Sequence, residues 1–101
     1  MKVDEKQIAK THALLCHAID KVDVCIQEWG EKSLPFTTEL ELLQIQSTLR
    51  KMKEAVENKQ DIPNPRMGRY LIDTWPLNND LLDIILKAEQ GYKKLLDRRM
   101  L

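Results

Sequence analysis

The residues best suited to chemistry fall in a few short stretches. His12, Cys16 and His17 offer nitrogen and sulfur ligands for a metal. His12 and Cys16 are four residues apart, so on a helix both side chains can reach one ion, and Asp20 or Asp23 could add an oxygen. His17 projects about 100° round the helix from Cys16. Two well-placed ligands remain where a structural zinc site takes four. His12 also falls in line with an apolar stripe, where a hydrogen-bonded histidine is ordinary. These residues are therefore read as structural, and no metal-ligating or cofactor-binding residue is assigned.

Two acidic pairs come next. Glu54-x-x-Glu57 precedes Asp80-x-x-Asp83, which opens the run Asp80-Leu-Leu-Asp-Ile-Ile-Leu86. Over about a quarter of the chain this resembles the magnesium-binding helices of all-α nucleoside triphosphate pyrophosphohydrolases. The resemblance implies Mg²⁺ and phosphates held by carboxylates facing each other across helices. The family pattern has a denser acidic cluster on the earlier helix and an acidic residue followed by aspartate on the later one. Helical geometry places Glu54 nearly opposite the apolar seam of its helix, and Asp80 and Asp83 off the stripe of theirs. The plainer reading is surface charge and N-terminal capping. Nucleophilic catalysis has no support either. No glycine-rich elbow surrounds a serine, Cys25 has no neighbouring base, and no glycine loop is built to cradle phosphate. The chain is accordingly expected not to be an enzyme, with no catalytic residue.

Charge excludes further classes. Sixteen basic and sixteen acidic residues cancel, so there is no general pull toward nucleic acid or an anionic membrane. Lys87, Lys93, Lys94, Arg98 and Arg99 do gather toward the end, against Glu89 and Asp97. They lack a helix-turn-helix spacing and interleaved aromatics, and they complement the negative end of a helix. A nucleic-acid-binding regulator is thus an alternative and not the expectation. No apolar stretch approaches the roughly 20 residues that span a bilayer, and no signal core follows Met1-Lys2-Val3-Asp4. Cys16 and Cys25 lie about 13 Å apart on one helix at 1.5 Å per residue, too far for a disulfide. Reduced thiols fit a cytoplasmic address.

The least ordinary stretch is the one punctuated by Pro63, Pro65 and Pro76. It holds Met67, Tyr70, Leu71 and Trp75, residue types enriched at interface cores. These four are the candidate partner-binding residues. The plainer reading of the stretch is a lid folded over the open end of the bundle, and the two roles are compatible.

The elements that must position these residues are helices. Glycine is scarce, at three, and apolar residues make up 43% of the 101-residue chain. The first helix is expected from about Asp4 to Trp29. Ile8, Leu15, Ile19, Val22, Ile26 and Trp29 form a heptad-like seam with His12 in its one gap, and Leu14, Ala18 and Cys25 form a flank. Gly30 should stop it. Thr38 with Glu41 makes a capping box for a second helix running to about Asn58. Its seam is Leu42, Ile45, Leu49, Met52 and Val56. A short helix from Pro65 to about Thr74, with Asn64 as cap, precedes a last helix from Asn78 or Asn79 to about Arg99. That helix buries Leu81, Ile85, Ala88, Tyr92 and Leu95. Gly91 within it costs about 1 kcal/mol relative to alanine, and a close helix–helix approach is one possible reason for it.

The expected architecture is an all-α, antiparallel bundle of three long amphipathic helices plus a short fourth in the proline-punctuated connector. One domain spans residues 1–101. The expected function is a non-catalytic protein–protein interaction module: a small regulatory, adaptor, inhibitor or chaperone-like protein. The first helix has more apolar surface than one neighbour can cover, and the last carries Leu82, Ile84, Leu96, Met100 and Leu101 beyond its stripe. A homodimer through those two helices follows as the expected assembly, with another protein as the wider class of partner.

Overall fold

Two apolar lines on the first helix demand two neighbours, and the fold supplies them. The computed structural model describes residues 5–59, 67–76 and 78–97. They form α1 (Glu5–Gln27), α2 (Glu39–Asn58), α3 (Met67–Thr74) and α4 (Asp80–Asp97), with no strand among them. The fold is an all-α helical bundle in which α1 packs on both α2 and α4, and α3 packs on α4. The α2 side of α1 is marked by His12 beside Glu57, and by Asp23 beside Gln46 and Arg50. These pairs run in opposite order, so the two helices are antiparallel. On the α4 side, Thr11 and Leu14 meet Gly91, which puts the first half of α1 against the second half of α4. α2 and α4 therefore point the same way.

The core is one cluster. It contains Leu15, Ala18 and Val22 of α1, Leu42, Leu49, Met52 and Ala55 of α2, and Leu82, Ile85, Ala88, Tyr92 and Leu95 of α4. Leu71 of α3 and Trp75 complete it. The expected seams of α2 and α4 are buried, except that Leu81 is half-buried and Leu82 takes the core position. On α1 the inward residue in the second turn is Thr11, fully buried, and His12 is only half-buried. With α2 on one side and α4 on the other, the line facing both is Thr11, Leu15, Ala18 and Val22. His12 itself sits on the α2 side, beside Glu57.

Gly91 is explained by close approach. A Cβ there would lie 3.1 Å from Thr11 Oγ1. The helix caps are mostly those the sequence announces. Thr38 Oγ1 accepts from the Glu41 backbone N–H at 3.1 Å, and Asn79 Oδ1 accepts from Leu81 and Leu82 N–H at 2.9 and 3.2 Å. Gly30 differs from expectation. α1 ends at Gln27 and the chain turns tightly, with Glu28 C=O accepting from Glu31 and Lys32 N–H. Gly30 has no positive φ. The left-handed cap is instead Lys59, at φ 53°, whose N–H bonds the Ala55 and Val56 carbonyls at the end of α2. The Asn64-Pro65 start expected for α3 lies outside the described residues, as do Arg98, Arg99, Met100 and Leu101. Among the described residues no helix is long and apolar enough to cross a membrane.

Candidate functional site

The metal-type residues sit at the end of the bundle where α1 starts and α2 finishes. Cys16 Sγ is 3.7 Å from His12 Nδ1, and His12 Nε2 is 3.8 Å from Glu57 Oε2. His12 and Glu57 line a cleft of about 410 Å³ with Ile8 and Val56. His17, Asp20 and Glu54 are exposed away from this contact. Among the described residues no group of three or more His, Cys, Asp or Glu converges as a metal site. Cys25, half-buried, has its thiol pushed up by burial and by Glu28, with Lys21 pulling it down. That keeps it protonated and a poor nucleophile at neutral pH. No disulfide joins it to Cys16.

The acidic pairs are not brought together. Glu57 sits beside His12, at the level where Thr11 meets Gly91. Asp83 and Asp80 are eight and eleven residues back along α4, about 12 and 16 Å at 1.5 Å per residue. Asp80 and Asp83 are exposed in the first turn of α4, where carboxylates favour the positive helix end. Lys87, Lys93 and Lys94 are exposed on the later turns of the same helix.

The proline-punctuated stretch divides by face. Leu71 and Trp75 are core residues, at 0% and 3% exposure, so they do not present a surface to a partner while α3 is docked. Met67 is half-buried, and Tyr70 is exposed. The Trp75 indole N–H donates to Glu41 Oε1 at 2.7 Å, and Phe36 stacks edge-on against the ring at 4.8 Å between centroids. Glu41 also accepts from Thr37 Oγ1 at 2.6 Å. The capping box is thus only half made, because Glu41 is turned toward Trp75.

The large exposed apolar side chains are Leu40 and Leu43 on α2, Tyr70 and Ile72 on α3, and Val24 on α1. None of those described lies on α4. Leu82, expected to be spare, is buried, while Ile84 and Leu96 are half-buried against the core. Two shallow grooves flank α3. One, lined by Glu41, Gln44 and Thr48 opposite Met67 and Tyr70, separates it from α2. The other, about 440 Å³, is lined by Arg69, Ile72 and Asp73 of α3 and by Leu86, Glu89 and Lys93 of α4.

Glu89 is the residue that periodicity does not single out. It is buried at 9% exposure and accepts a hydrogen bond from the Gly68 backbone N–H. Burial pushes its carboxyl above the ordinary range, against the opposing pull of that N–H and of Lys93. A signal was present in the sequence: Glu89 follows Ala88 and lies three residues before Tyr92, at the edge of the stripe. Its partner is a backbone group 21 residues away, which no local pattern reveals.

No family model matches this chain, and no curated protein or solved structure matches it.

Proposed function

We propose that the chain is a non-catalytic association module whose contact surface lies where α2 begins and α3 docks. The observation that carries this reading is the exposure of large apolar side chains there. Leu40 is 66% exposed and Tyr70 56%, with Leu43 one turn further along α2. Such side chains are costly to leave in water and gain from a partner. The partner proposed first is a second copy, giving a homodimer, and a different protein is the wider class. This surface differs from the α1 and α4 faces that the sequence suggested, because among the described residues of α4 Leu82 is buried and Ile84 and Leu96 are half-buried against the core. Regulation or adaptor work in the cytosol is consistent with the two free thiols.

The deciding experiment is light scattering across the micromolar range. The expected result is a mass that rises from 11.8 kDa toward twice that value, and that the Leu40→Ser, Tyr70→Ser double variant returns to the monomer. A mass fixed at the monomer would sink the homodimer. Magnesium-dependent release of pyrophosphate from nucleoside triphosphates would overturn the non-catalytic reading.

A further inference from the structure

We infer that α3 is a strap whose hold on the bundle is set by the protonation of Glu89, tightening when that carboxylate takes up a proton. The strap is short, eight residues, and is held at its two ends by different means. Toward its C-terminal end Leu71 and Trp75 enter the core. At its first turn Met67 packs partly against the core, and a polar tie is added: the Gly68 N–H donates to Glu89 of α4. The approach is close: a Cβ at position 68 would lie 2.8 Å from both Glu89 Oε2 and Leu86 Cδ2, so the ends of those side chains would have to shift to admit it. Backbone and carboxylate therefore meet without room for water between them.

When α3 is docked, Glu89 loses much of its hydration and receives one backbone hydrogen bond in return. When α3 lifts, the carboxylate returns to water. Burial disfavours the charged form. Among the described residues, the charged side chains that line the same groove as Glu89 are Arg69 and Asp73 from α3 and Lys93 from α4, and neither α1 nor α2 contributes to that lining. Arg69 and Asp73 carry opposite signs. Lys93 and the Gly68 N–H favour the anion, yet burial outweighs them and the acid is weaker than usual. The docked state thus binds a proton more tightly than the lifted state, and by linkage protonation favours docking. As pH rises through the window from the ordinary glutamate value to the raised one, α3 loosens. Above that window Glu89 is ionised in both states and the looser hold is constant. Lifting withdraws Leu71 and Trp75 from the core, frees Glu41 from the indole and uncovers apolar surface between α2 and α4. The strap operates whether or not the chain self-associates.

The test is native-state hydrogen exchange of the full chain, corrected for the intrinsic pH dependence of exchange. Protection of the Trp75 amide, which bonds the Leu71 carbonyl at 2.8 Å, is compared with Val22 of α1 and Ala88 of α4. The expected result is a severalfold fall in Trp75 protection as pH rises through the titration of Glu89, with Val22 and Ala88 unchanged. Glu89→Gln should abolish that dependence and keep protection at the acid level. An NMR titration of the Glu89 carboxyl in wild type, with a midpoint above that of an exposed glutamate, is the second readout. Flat Trp75 protection, a parallel loss at Val22 and Ala88, a dependence that survives Glu89→Gln, or an ordinary midpoint would each overturn the strap.

Discussion

Glu89, Gly68, Gly91 and Thr11 show how closely the helices of this bundle approach one another. At Gly91 two effects oppose. Alanine there would gain about 1 kcal/mol of helix propensity, but its Cβ would stand 3.1 Å from the hydroxyl and 3.4 Å from the methyl of Thr11, which is fully buried and has nowhere to go. Crowding of a packed site costs typically about 1–3 kcal/mol. Gly91→Ala is therefore expected to destabilise, and Thr11→Ala in the same chain to recover much of the loss. Urea unfolding of the two single variants and the double variant reads the coupling. Additive effects would mean the two residues do not meet.

At the scale of the element, α2 and α4 each begin with their own cap, and α3 depends on its neighbours. Asn79 satisfies two orphan N–H groups of α4 with one oxygen. Asn79→Ala should cost about 0.5–2 kcal/mol, and Asn79→Asp much less, since aspartate caps as well. Thermal melts of the pair separate capping from any other role of the position. α3 has no such local device among its described residues. Its eight residues span about 12 Å, too short to be stable alone in water. What fixes it is tertiary: Leu71 and Trp75 in the core, Glu89 at its start, and the Glu41 carboxylate on the indole. The element tied to the bundle at the fewest points is thus the one whose docking other groups can modulate.

For the whole molecule, stability rests on one core shared by α1, α2 and α4. Leu49 is fully buried at its centre, and Glu54, five residues on, is exposed. Leu49→Ala should lower the unfolding free energy by about 2–5 kcal/mol, the range for emptying a packed leucine site, whereas Glu54→Ala should change it by under about 0.5 kcal/mol. Denaturant midpoints at constant slope would show this. The reverse ranking would mean that α2 is rotated from the register described. The molecule is elongated, 48 × 24 × 19 Å, because α1 is 23 residues long and is flanked by helices of 20 and 18 residues lying along it.

The sequence by itself determined the helices, the cap at Thr38, a cap at Asn78 or Asn79, the seam of α2, the seam of α4 from Ile85 onward, and the need of α1 for two partners. All of these follow from contacts three or four residues apart, where the 3.6-residue turn links chemistry to geometry directly. Local pattern also gave a reason for Gly91 but not the partner, Thr11. Tertiary structure alone decided which of two adjacent residues, Thr11 or His12, faces the core, because that depends on the angle at which α2 and α4 flank α1. It alone turned Glu41 from its capping box to Trp75, 34 residues away, and set Glu89 under Gly68, 21 residues away. It also covered Leu82 of α4 while leaving Leu40 and Tyr70 in solvent. A carboxylate buried against a distant backbone N–H carries no periodic signature, since its partner is supplied by how the chain folds back on itself.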